Sequence, residues 1–134
     1  MDSEPKPLFS MALFVKDKDR AKAFYEKAFG LKPLFEDSGG VVLRLANTYL
    51  FLATMDEAQS RVAPATVGTS NGPRQIFAIQ VDDVDAVCRE LTTKGIALLN
   101  GPEDRSWGMR TANIQDPDGY VWEIATDLDP SGQA

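Results

Sequence analysis

One carboxylate stands where a carboxylate is unexpected. In "QDPDGYVWEI", Gln115 to Ile124, a rigid turn leads at once into an alternating apolar run, and Glu123 lies in the middle of that run. Such a side chain can hold a cation, exchange a proton or meet a polar ligand, and an apolar setting would disfavour its charged form and raise its pKa. Its company limits that chemistry. The chain contains no histidine, the commonest transition-metal ligand and the usual general base near neutral pH. The one cysteine, Cys88, falls on the apolar stripe of a predicted helix, where a thiol is ordinarily a small buried hydrophobe rather than a nucleophile. A single cysteine also excludes an internal disulfide framework and the cysteine-based zinc sites. No Gly-rich dinucleotide loop or P-loop lysine precedes a helix.

The 134 residues, 43% hydrophobic and 25% charged, have the balance of a soluble globular protein. They suffice for one domain, or for two halves of about 65 residues sharing a core. No apolar run is long enough to span a bilayer. "MDSEPKPLFS" lacks the basic flank and apolar stretch of a secretory signal, so it reads as a short arm before the first strand and the expected location is cytoplasmic. A net charge of −6 with no Lys/Arg cluster longer than two disfavours nucleic acid and anionic membrane as partners. It favours a cationic ligand modestly, although charge of this size also serves solubility.

The elements that must position Glu123 follow a repeated order. "LFSMALFV" reads as a strand, and "DKDRAKAFYEKAFG" as a helix with Asp17 capping its start and Gly30 its end. "LKPLFED", "GVVLRLA" and "TYLFLAT" read as three further strands. The second half repeats this with "QIFAIQV", then the helix "DDVDAVCRELTTKG", then "IALLN", "MRTANIQ" and "YVWEIAT". Val15-Lys16-Asp17 recurs as Val81-Asp82-Asp83 after 66 positions, the mark of a duplicated β-α-β-β-β unit. Between the halves, "MDEAQSRVAPATVGTSNGPR" reads as a structureless segment, either a linker or a loop that closes over a ligand. The tail "DLDPSGQA" reads as frayed.

Period-two alternation sends Val121 and Glu123 to one face of the last strand, and Tyr120, Trp122 and Ile124 to the other, beneath a helix. With Pro117 and Asp118 at the hairpin tip, Arg110, Ala112 and Ile114 share the face of Glu123. Trp107, before Gly108 at the mouth of a strand, either covers the core edge or stacks on a planar ligand.

The duplicated pattern, with "VKDKDRAKAFYEKAFGLKP", "VDDVDAVCRELTTKGI" and "WGMRTANIQDPDGYVWEI", resembles the vicinal oxygen chelate superfamily over about residues 8 to 127. That superfamily groups glyoxalase I, extradiol dioxygenases, fosfomycin-resistance enzymes and bleomycin-resistance binding proteins. The resemblance implies an α+β, glyoxalase-like fold in one domain: two β-α-β-β-β modules, about 8–53 and 75–127, joined by a loop 54–74. Each module would curl a mixed sheet around a cleft, usually in a homodimer. In the family's metalloenzymes the first and last strands of each module carry the metal ligands. The first falls seven residues before the capping aspartate, at Ser10 and Ile76, and the last at Glu123 and about Leu52. Only one of the four is a good ligand, and a first-row metal wants at least three, so no metal or other cofactor is expected.

The remaining ligand-binding candidates are Ala12 and Phe14, on the face of Ser10, together with Phe35, Trp107, Arg110 and Ala112. "WG" before a strand and an Asp-Pro turn is similar to the bleomycin-resistance branch, which binds a drug without altering it. The function so implied is metal-independent sequestration of a hydrophobic or planar small molecule such as an antibiotic. The alternative is an isomerase, lyase or hydrolase with Glu123 as general base and Ser10 or Arg110 orienting the substrate.

Overall fold

Alternating side chains along short strands leave each sheet with one row that a helix must cover. A computed structural model describes residues 4–69 and 71–129, and the chain divides into two compact units with the boundary after Thr69. The first unit comprises β1 (Ser10–Val15), α1 (Lys18–Phe29), β2 (Pro33–Asp37), β3 (Gly40–Leu45), β4 (Thr48–Thr54) and α2 (Met55–Val62). The second comprises β5 (Ile76–Gln80), α3 (Val84–Thr93), β6 (Asn100–Asp104), β7 (Met109–Gln115) and β8 (Val121–Asp127). The sheets have the orders β1-β4-β3-β2 and β5-β8-β7-β6. In each, the first strand runs parallel to its partner and the other pairs are antiparallel. The α+β class and the duplicated β-α-β-β-β order are as the sequence suggests. Residues 1–3 of the N-terminal arm and 130–134 of the tail lie outside the described residues, and Asp127 still belongs to β8.

In the first unit, Asp17 caps α1 by accepting from the backbone N–H groups of Asp19 (3.0 Å) and Arg20 (3.1 Å). The helix then buries Ala21, Tyr25 and Ala28. The matching sheet row is Leu13, Val41, Leu43, Leu50 and Leu52, each with 2% exposure or less, and each such side chain contributes about 1.5–3 kcal/mol. Lys18 and Lys22 of α1 reach Glu36 at 3.2 and 2.9 Å. Glu36 pairs with Val41 in the β2–β3 ladder, so the helix lies on this row's side of the sheet.

The second unit follows the same plan. Asp83 caps α3 through Ala86 N–H at 3.1 Å, and Val84, Cys88 and Leu91 are buried. Their counterpart on the sheet is Ala112, Ile114, Trp122 and Ile124, at most 1% exposed. Trp122 therefore sits on the helix-covered row, as alternation predicts, with Phe77 packed against it at 5.0 Å between ring centroids.

Three segments depart from the sequence reading. Residues 55–62, taken as part of a structureless connection, form α2, whose start is capped by Thr54 Oγ1 accepting from Glu57 N–H at 3.2 Å. The strand expected at "IALLN" lies instead at Asn100–Asp104, an irregular edge in which Asn100 pairs with Asn113 and Glu103 with Thr111. Gly101 permits this close crossing: its φ is +82°, and a Cβ there would sit 2.8 Å from Ala112 Cα.

The hairpin before β8 is the third departure. Its loop spans 116–120, because Asp116 Oδ1 accepts from both Asp118 N–H (2.9 Å) and Tyr120 N–H (2.8 Å). That is one residue more than a turn centred on Pro117 and Asp118 would leave, and Asn113, not Ala112, stands opposite Glu123. A shift of one residue changes the face of every side chain. Arg110, Ala112 and Ile114 accordingly share the row of Trp122 and Ile124, not that of Glu123.

Asp116→Ala should therefore lower stability by about 2 kcal/mol, for two lost charge-assisted hydrogen bonds at a buried carboxylate. Asp116→Asn, which keeps the accepting oxygen, should lose less; urea unfolding of both variants checks the order.

Candidate functional site

Covering one row of the first sheet turns the other row outward. The outward row carries Ser10 and Ala12 of β1, paired with Tyr49 and Phe51 of β4, and Val42 of β3, which pairs with both Phe51 and Phe35 of β2. Of these, Ser10, Phe35, Val42, Tyr49 and Phe51 form the floor of a groove of about 490 Å³, lined also by Phe9 and Leu34. Phe9 meets Tyr49 edge-on at 5.4 Å between centroids. Phe9 and Phe35 remain 76% and 59% exposed, so apolar area is available for a guest to bury.

One end of the groove is polar. Helix α2 packs on β1 and β4 and brings Glu57 and Arg61 to the lining, where Asp37 also lies. Arg61 Nε donates to Glu57 Oε2 at 2.6 Å, and its guanidinium lies over the Phe51 ring, 4.8 Å from the centroid. Phe51 leans toward the β3 backbone: a Cβ added at Gly40 (φ +156°) would come 2.8 Å from its Cε1. Asp37 Oδ1 accepts from Gly39 N–H at 2.8 Å.

In the second unit the row away from α3 has different chemistry. Glu123, half-buried, stands between Ala78 of β5 and Asn113 of β7. Asn113 is 5% exposed; its Nδ2 donates to Asn100 Oδ1 at 2.9 Å, and its own Oδ1 has no partner among the described residues. Arg105 Nε donates to Thr111 Oγ1 at 2.9 Å, farther along the same row. Ile76, on the row of Glu123, is 59% exposed. Trp107 does not cover the core edge: it is 63% exposed, with the Arg105 guanidinium 5.7 Å from its ring centroid.

Of the residues singled out from sequence, the groove brings together Ser10 and Phe35. Ala12 and Phe14 follow Ser10 on the outward row of β1. Three others are displaced. Leu52 is fully buried on the α1 side, and Phe51 holds the place equivalent to Glu123, since Ala12 pairs with Phe51 as Ala78 pairs with Glu123. Arg110 and Ala112 face α3, and Arg110 donates from Nε and Nη2 to both oxygens of Asp85 at 3.0 and 3.1 Å. Arg110 therefore neither pairs with Glu123 nor orients a substrate on its face. Phe9, Tyr49, Phe51, Glu57 and Arg61 were not anticipated. The alternation of Tyr49 and Phe51, and the Thr-x-x-Glu of Thr54 to Glu57, are the sequence signals that mark them.

A model of the Glyoxalase/Bleomycin resistance protein/Dioxygenase superfamily matches residues 8–124. The chain belongs to this superfamily. The uncharacterized protein YraH of Bacillus subtilis (strain 168) is 29% identical over 128 residues, which is 87% of this chain and 95% of YraH. A glyoxalase/bleomycin resistance protein/dioxygenase from Nocardioides has the same fold, with a TM-score of 0.83 at 21% identity over 98% of this chain and 91% of that one. Lactoylglutathione lyase from Agrobacterium tumefaciens matches with a TM-score of 0.74 at 24% identity, over 91% and 94% of the two chains.

The positions that the family resemblance assigns to metal ligands are Ser10, Ile76 and Glu123, and the ladder equivalent of Glu123 in the first unit is Phe51. A hydroxyl beside a benzene ring and a carboxylate beside an aliphatic chain do not fit a first-row metal. Among the described residues, no three His, Cys, Asp or Glu side chains gather in metal-holding geometry. Cys88 is buried, which pushes its thiol pKa up, and the Asp85 charge adds to the shift.

Arg110 serves the second unit's structure instead. By donating to Asp85 it holds that carboxyl below the usual carboxylate range, and Asp85 and Asp104 in turn push the Arg110 pKa up. A lowered carboxylate pKa contributes stability that is present above the unfolded value, near pH 4, and lost as pH falls through the folded one. Asp85→Asn should thus be less stable than wild type at pH 7, with the gap in urea midpoint closing on acidification. A gap that stays constant to pH 3 would assign the loss to something other than this ion pair.

Proposed function

We propose that this superfamily member binds a flat, largely apolar small molecule in the groove of the first unit and holds it chemically unaltered. The observation that carries the reading is the groove: about 490 Å³ walled by Phe9, Phe35, Tyr49 and Phe51, within the range of small-molecule sites. Affinity then comes from apolar area removed from water and from stacking, each ring adding about 0.5–1.5 kcal/mol. Neither source requires a base, a nucleophile or a Lewis acid. The bleomycin-resistance proteins named in the family description support an antibiotic as the guest, with resistance or self-protection as the purpose.

A second reading keeps Glu123 as a general base in an isomerase, lyase or hydrolase. It draws on the unpartnered Oδ1 of Asn113 directly across from Glu123, a polar group that a substrate donor would satisfy. Arg110 no longer supports it.

Phe51→Ala should weaken binding of a planar aromatic antibiotic about tenfold or more by calorimetry, with the compound recovered intact by mass spectrometry from wild type. Turnover by wild type that disappears in Glu123→Gln would replace sequestration with the enzyme reading.

A further inference from the structure

We propose, resting on the reading of the groove as a ligand site, that its occupant is a flat organic cation and that Arg61 is a built-in competitor for the cation's place. An aromatic face attracts cations through its quadrupole, and two rings of this groove already hold one. Arg61 lies 4.8 Å from the Phe51 centroid, and Arg44 lies 5.4 Å from that of Tyr49 while donating to the Tyr49 hydroxyl at 3.3 Å. The polar end thus contains a flat cation stacked on a benzene ring and paired with a carboxylate, all supplied by the chain itself.

Charge points the same way. The lining holds two carboxylates, Asp37 and Glu57, against one guanidinium, Arg61. If Arg61 swings out, the Phe51 ring and the Glu57 carboxylate lose the guanidinium that now lies between them and the groove. The swing is easy, since the Arg61 side chain is 59% exposed and its pair with Glu57 is an i,i+4 contact on a surface helix, a weak class of ion pair. Glu57 has less room to follow. Its Oε1 lies against the turn into β3, only 2.8 Å from where a Cβ on Gly39 would stand. The carboxylate therefore stays to receive the incoming cation. An anion would meet Asp37 and Glu57 at the polar end, where the Arg61 guanidinium is already engaged, and Arg44 stands away from that end beside Tyr49.

The test compares three flat tricyclic probes of similar size by fluorescence titration: proflavine, a cation; acridone, neutral; and 9-anthracenecarboxylate, an anion. Proflavine should bind tightest. Arg61→Ala should tighten it about threefold or more, whereas Glu57→Gln and Phe51→Ala should weaken it by at least that factor. Weaker proflavine binding in Arg61→Ala, or tightest binding of the anion, would overturn the proposal by making Arg61 a ligand contact. If acridone matches proflavine and Phe51→Ala weakens both, this inference falls while the groove stands as a site for flat molecules. If no probe responds to Phe51→Ala, both readings fall.

Discussion

The row of leucines and valines beneath α1 sets what every other side chain in the first sheet can do. Because successive residues of a strand point to opposite faces, burying Leu13, Val41, Leu43, Leu50 and Leu52 obliges Tyr49, Phe51, Val42 and Ser10 to face away from the helix. The groove needs no separate device to open its aromatic floor; it is the far side of the core. Helix α2 follows β4 directly and packs back on the sheet from that far side, which is how Glu57 and Arg61 reach the floor. A one-residue slip of β4 against its neighbours would bury Phe51 and expose Leu52, removing core and groove together.

The same constraint operates in the second unit with other residues. Ser10 corresponds to Ile76, Ala12 to Ala78 and Phe51 to Glu123, each by its place in the ladder. The two units thus share topology and apolar helix-covered rows, where packing demands apolar volume, and differ in the opposite rows. One is aromatic, suited to stacking; the other is polar, with Glu123, Asn113 and Thr111 in succession.

Where side-chain pattern and local chemistry agree, the fold was legible. Both long helices show 3.6-residue apolar spacing with an aspartate at the cap, and the strands flanking them are β-branched or aromatic. The row assignment in "TYLFLAT" is not legible, because both of its rows are apolar and alternation carries no label for inside, so a count that lands at about Leu52 cannot be told from one that lands on Phe51. Helix α2 has only eight residues, mostly polar, and such a segment is held by its cap and its packing rather than by its own propensity. In β6, "NGPED" carries four residues that strands disfavour, Asn100, Gly101, Pro102 and Asp104, and "IALLN" looks the better strand. Pairing with β7 selected the former, because Gly101 admits the close approach that a side chain would block. The hairpin register turned on Asp116, whose carboxylate organises a five-residue loop from inside.

Glu123 shows how a residue's meaning changes with its neighbours. On sequence it is a carboxylate on an apolar strand, which suits a metal, a base or a polar contact equally. Once Asn113 is placed opposite and Ile76 at the family's other ligand position, the donors that would complete a metal site are missing. Arg110, committed to Asp85 and Asp104 on the other face, cannot complete an acid–base pair. Glu123 is left facing an amide oxygen without a partner among the described residues, a pair of acceptors that suits a ligand bearing hydrogen-bond donors. The aromatic groove of the first unit has its own pair of carboxylates. Two rows that differ in most side chains thus both present carboxylates.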